Sequence, residues 1–95
     1  MREYQWSQWH NFDEPTVDAS PEAPGVFMMH AAMKILHIGG SDNIRRDLKG
    51  ALNKVCVSDA TRFKYAEDAD YHTAQEELIA DYKERHSGDL PKCMK

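Results

Sequence analysis

No apolar run in this sequence approaches the ~20 residues that a membrane-spanning helix needs. The first 25 residues are polar and acidic, so a secretory signal is not expected either. Cysteine is scarce. Cys56 and Cys93 alone make a poor disulfide framework and fall short of the four ligands of a structural zinc site. Without an export signal, both are expected as reduced thiols in a cytoplasmic protein. Basic residues are the minority, 12 against 16 acidic, and the net charge of -4 disfavours a general nucleic-acid coat. Repeats and low-complexity tracts are missing as well.

What is present suits one small globular domain. In 95 residues, 41% are hydrophobic and 29% charged, which is ordinary for a folded chain and unlike a disordered one. A chain this short must build a compact core with a thin margin. A monomer is expected.

Residues 1–24 read as an irregular arm. Tyr4, Trp6, Trp9 and Phe12 alternate with polar residues, and Pro15, Pro21 and Pro24 punctuate the rest. Rings that large favour packing on the domain, and residues 13–20 have room for one helical turn. The domain proper is taken as residues 25–95. Residues 25–39 are the most apolar stretch, and their periodicity would also suit a buried helix. Gly25 at one end and Gly39-Gly40 at the other favour two strands, with a turn near residues 30–34 that lacks an Asn-Gly signal.

Ser41 and Asp42 are good helix caps, and Ile44, Leu48, Ala51, Leu52 and Val55 follow at helical spacing. Residues 62–66 alternate as a short strand on which Arg62 and Lys64 suit an exposed edge. A last helix follows with Tyr71, Ala74, Leu78, Ile79 and Tyr82 on one face, ending at Ser87-Gly88. Met28, Met29 and Met33 read as flexible core filling. The predicted fold is α+β, a three-stranded antiparallel sheet flanked by helices.

Gly25-Val26-Phe27, nine residues, His37-Ile38-Gly39 and then Ser41-Asp42-Asn43-Ile44-Arg45-Arg46 together resemble the GIY-YIG nuclease superfamily over residues 24–85. That resemblance implies the same three-stranded sheet and hydrolysis of a DNA phosphodiester. It implies a tyrosine from each triplet at the site, an arginine on the first helix facing the phosphate, and a glutamate on a later helix holding a divalent metal such as Mg²⁺. A hard cation polarises the phosphate, and a guanidinium offers a bidentate clamp.

Carried over position by position, the chemistry is altered. Phe27 stands in place of the first tyrosine and lacks a hydroxyl. His37 stands for the second and titrates near neutral pH. The arginine position, eight residues after Gly39, is Asp47, with Arg46 one step and ~100° of helix earlier. The glutamate position is Gln75, followed by Glu76 and Glu77. A glutamine binds Mg²⁺ far less well than a carboxylate. Asn43 is kept at the helix start.

Three readings follow. The first is a degenerate GIY-YIG-like domain, inactive or weak as a nuclease, with a phosphate or nucleic-acid seat at Gly39, Ser41, Arg45 and Lys49. The second is a Mg²⁺-dependent DNA endonuclease with a shifted site: His37 as proton acceptor, Arg46 on the phosphate and Glu76 on the metal. The third is a protein-interaction module using the tryptophan arm, with no partner identified. From residues 67 to 89 there are eight acids and two bases, so DNA would approach from the opposite side. Asp68, Asp70 and His72 suit a helix N-terminus without any metal.

Overall fold

The computed structural model describes residues 3–95. Its elements run β1 (His10–Asn11), α1 (Glu14–Asp18), β2 (Gly25–Ala31), β3 (Lys34–Ser41), α2 (Ile44–Ala51), β4 (Arg62–Glu67) and α3 (Tyr71–Arg85). Short 3₁₀ turns lie at Val57–Asp59 and Lys92–Met94. The strands form one antiparallel sheet in the order β1-β4-β2-β3.

The α+β class is as expected, with one strand more than the pattern showed. The extra strand comes from the arm, where His10 pairs Phe63 and Asn11 pairs Arg62. Before it, the amide of Ser7 donates to the Tyr65 carbonyl at 2.8 Å, and the Tyr65 amide donates to Ser7 Oγ at 3.0 Å. β4 is therefore an inner strand, and Lys64 is no edge charge. Its ammonium lies 4.5 Å from the Trp6 ring centre and 4.9 Å from that of Trp9. An arm too short to carry a strand pattern is held by tertiary pairing and cation–π attraction.

The sheet separates two cores. On one face Phe27, Met29 and Phe63 pack with Val17 of α1 and Ile44, Leu48 and Ala51 of α2. On the other, Val26 and Ala66 meet Ala74 of α3, with Tyr4, Trp6 and Leu78 beside them. The predicted α3 face is only partly sunk, with Ala74 buried and Leu78, Ile79 and Tyr82 half-buried.

Two apolar residues depart from expectation. Met33 is 97% exposed and fills no core, because it sits at the tip of the β2–β3 hairpin. Val55 is 96% exposed because α2 ends at Ala51. Beyond it the amides of Leu52, Asn53 and Lys54 reach back only three residues, and Cys56 turns the chain at a φ of 75°. Val57 is buried where the helical spacing had put Val55.

The cysteines also correct the expectation of free thiols. Cys56 and Cys93 form a disulfide, with Cα atoms 5.7 Å apart across 37 residues of chain. Nothing in their spacing reports proximity, which arises because the tail folds back past β3 to the turn after α2.

The hairpin tip is a two-residue loop between paired Ala31 and Lys34, with Ala32 and Met33 at φ of 50° and 64°. Two consecutive left-handed residues suit Asn-Gly, which neither of these is. A left-handed conformation costs an ordinary L-residue about 1–2 kcal/mol. The double substitution Ala32→Asn, Met33→Gly should therefore raise the unfolding free energy by about 1 kcal/mol in urea titrations, since Met33 has no packing to lose.

Candidate active site on the two strand triplets

The hairpin register places Phe27 opposite Gly39 and Met29 opposite His37. The Phe27 ring lies over Gly39 so closely that a Cβ there would fall 2.3 Å from Cζ. The His37 imidazole is 5.8 Å from the Phe27 ring, centre to centre. Both triplets thus converge on the α2 side of the sheet. Phe27 itself is only 4% exposed and belongs to the core.

His37 keeps a buried Nδ1 without a hydrogen-bond partner. Burial, and after it the Lys54 cation, hold its pKa below the usual histidine value. The ring is therefore neutral at physiological pH and able to take a proton only under acidification.

The start of α2 is saturated by internal partners. Asn43 Oδ1 accepts from the Arg46 amide at 3.1 Å. Ser41 Oγ accepts from the Asn43 amide at 2.9 Å and donates to the Asn43 carbonyl at 2.8 Å. The Ile44 amide donates to Ala23 O at 3.0 Å, and the Arg45 amide to Pro21 O at 3.2 Å. A helix N-terminus seats an anion through free amides. Here residues 21–23 have taken that place.

The α2 cations are also paired. Arg45 donates to Ser20 O at 2.7 Å and forms an ion pair with Glu22. Arg46 pairs with Asp42 and, at 3.2 Å, with Asp47; those bonds hold its pKa above the usual arginine value. Lys49 lies 3.0 Å from Asp18. Together Asp18, Glu22, Asn43, Arg45, Arg46 and Lys49 line an open groove of about 410 Å³ between α1 and α2.

On the far side, Gln75 faces the sheet. Its Nε2 donates to Ile38 O at 3.2 Å, and its Oε1 sits where a Cβ on Gly40 would come within 3.0 Å. Glu76 is exposed, turned away from that contact. Among the described residues, no three histidine, cysteine or carboxylate side chains gather as a metal site. A neutral amide committed to a backbone carbonyl, beside an outward-facing glutamate, does not fit a divalent cation.

The structure thus joins Phe27, Gly39 and His37 in one contact, and Ser41, Asn43 and the Arg46 amide in another. Arg45 and Lys49 share the groove, while Glu76 stands apart on α3. Sequence reasoning missed the acids Asp18 and Glu22 that answer the α2 cations, because they lie more than twenty residues upstream.

A second groove, of about 520 Å³, runs between the arm and α3 over Tyr4, Trp6, Met28 and Leu78. Two of its acids are engaged as well: Tyr4 donates to Glu77 at 3.1 Å, and Arg85 lies 3.3 Å from Asp81. Trp6 is half-buried and Trp9 is 37% exposed, and the two rings flank the Lys64 ammonium.

A domain-of-unknown-function family, DUF7508, matches residues 5–85. No curated protein matches the chain. Among solved structures it is similar to the GIY-YIG N-terminal endonuclease domain of UvrC from Thermotoga maritima, bound to its catalytic divalent cation, magnesium. That likeness has a TM-score of 0.66 and 18% identity, over 83% of this chain and 91% of that one. A point mutant of the same domain, also bound to the catalytic divalent cation, gives a TM-score of 0.64 and 19% identity, over 83% and 90%. At such identity the likeness establishes the GIY-YIG fold.

The half-buried neutral imidazole of His37 makes stability depend on pH. Unfolded His37 titrates near about 6.5, and the folded residue titrates lower. As pH falls, the unfolded chain takes up the proton first. The stability is therefore fully present above about pH 6.5 and lost as pH falls through the folded pKa. His37→Gln should flatten the decline in unfolding free energy between about pH 8 and about pH 5, measured by urea titration. Some decline should remain from His30, whose pKa is lowered by burial and then by Arg62 and Lys64.

Proposed function

Because the chain belongs to the DUF7508 family and carries the GIY-YIG fold, we propose that it is a nuclease scaffold that no longer hydrolyses phosphodiesters and retains a nucleic-acid-contacting role. The observation that carries this reading is the Gln75 amide, spent on the Ile38 carbonyl at the position where the resemblance calls for a metal-holding carboxylate. Phe27 supports it, since its ring brings no proton-transfer group and serves as core.

Contact with a nucleic-acid backbone would fall on the groove of Arg45, Arg46 and Lys49. Each of these cations sits in a partly exposed ion pair, and such pairs contribute about 0–1 kcal/mol. A phosphate backbone can compete for them at low salt. The acidic α3 side favours this single face of approach. Nothing here needs a bound metal.

The rival reading, a Mg²⁺-dependent endonuclease using His37, Arg46 and Glu76, gains no support from Glu76, which points to solvent. An interaction module built on Trp6 and Trp9 is disfavoured by their engagement with Lys64.

The test is a titration with a short nicked or branched DNA duplex at low salt, followed by amide chemical shifts, with and without Mg²⁺. Shifts should cluster on residues 43–49, fade as salt rises and ignore the metal, with the duplex left intact. Mg²⁺-dependent cleavage that disappears in Glu76→Gln would overturn the non-cleaving reading. An absence of shifts would remove the nucleic-acid role. Separately, Gln75→Glu should lower stability by about 1–3 kcal/mol, because it replaces a donor to Ile38 O with a second acceptor. Thermal unfolding in metal-free buffer reads that loss.

A further inference from the structure

β3 is the outermost strand on its side of the sheet, so one row of its backbone groups has no strand partner. The tail lies along that row. After α3 the chain reverses through Ser87 and Gly88, both left-handed at φ of 55° and 88°. The Gly88 amide closes the helix by donating to Lys83 O at 2.7 Å. Pro91 is then buried, Cys93 packs against the α2-side core, and Met94 Sδ accepts the Ile38 amide at 3.4 Å. The covered residue is the middle of the His37-Ile38-Gly39 triplet.

Three attachments hold this segment, and they are unequal. A thioether is a weak acceptor. One buried proline and one sulfur contact set little against the conformational freedom lost when six residues are ordered. The covalent bond from Cys93 to Cys56 is what keeps the segment near the strand, because it confines the tail whether or not the other contacts are made. Cys56 and Cys93 are both only half-buried, so a small thiol can reach the bond.

We propose that residues 90–95 form a strap latched by the Cys56–Cys93 disulfide, and that reduction of this bond swings the strap away from β3 about Ser87-Gly88, baring the Ile38 amide in the middle of the second triplet. The reductant is a dithiol. One of its thiolates attacks a disulfide sulfur, its second thiol resolves the mixed disulfide, and two electrons pass to give two cysteine thiols and a cyclic oxidised dithiol. A bared Ile38 amide is a free donor for an incoming carbonyl, beside the Ile38 carbonyl that Gln75 already holds. This inference is independent of whether the chain contacts nucleic acid.

Amide hydrogen exchange on the full chain decides it, comparing oxidised protein, protein held in dithiothreitol, and the double variant Cys56→Ser, Cys93→Ser. The Ile38 amide should exchange at least tenfold faster in the reduced protein and in the variant. The Met29 amide in inner strand β2 should keep its protection. An Ile38 amide equally slow in all three states would show that packing alone holds the strap, and would overturn the proposal. Met29 accelerating in step with Ile38 would mean global loosening without strap release, and would overturn it too. Oxidised Met94→Ala gives a further arm: Ile38 should speed up with the disulfide intact, and an unchanged rate would remove the sulfur contact from the device.

Discussion

Two adjacent glycines set the spacing of the whole molecule. Gly39 receives the Phe27 ring on one face of β3, and Gly40 receives Gln75 and the Tyr71 carbonyl on the other. A side chain at Gly39 would push Phe27 out of the α2-side core, and one at Gly40 would lift α3 from the sheet. Because strand residues alternate between faces, neighbouring glycines thin the sheet on both sides at one level. Gly25 repeats the demand on β2, where a Cβ would meet the Ala66 carbonyl at 2.2 Å and Ile44 Cδ1 at 2.7 Å. The triplets that mark the family resemblance are therefore first of all packing devices.

That separation of scaffold from chemistry runs through the site. The Phe27 ring supplies bulk to the core and carries no hydroxyl. Gln75 is shaped like a glutamate, and its amide hydrogen gives it an internal partner that a carboxylate could not have. At the start of α2, Asn43 remains as a cap while residues 21–23 occupy the amides an anion would need. At Gln75 and at the start of α2, polar valences close within the protein. Closed valences stabilise a small domain whose core is thin.

What could be read from the sequence follows from the range of each interaction. The β2–β3 pair was legible because Gly25 and Gly39-Gly40 bracket an apolar run. Its turn was not, because Ala32 and Met33 carry no left-handed preference and are held there by the register of the paired strands. The α2 start was legible to within two residues from Ser41, Asp42 and the helical spacing after them, although the residue that caps the helix is Asn43. Its end was not, since Leu52 and Val55 continue the spacing after the hydrogen bonding has already tightened. β1, the Lys64–Trp6–Trp9 cluster and the disulfide all join segments more than thirty residues apart, and no local pattern encodes them. The site was legible only where it coincides with local motifs. The pairing of Arg45 with Glu22 and of Lys49 with Asp18 depends on how α1 docks on α2.

The missed contacts of the arm and the tail lie at the two edges of the sheet, and this has a physical reason. A hairpin and two helices fix the centre of the sheet, but they leave both of its edges exposed to water and to other chains. An exposed edge invites unwanted strand pairing. The arm closes the β4 side with Ser7 and His10–Asn11, and the tail closes the β3 side with Met94 and the disulfide. Neither segment carries enough regular pattern to announce itself, because its partner is backbone already ordered by the core. The centre of the fold is thus written in periodicity, and its borders are written in contacts that exist only once the centre has formed.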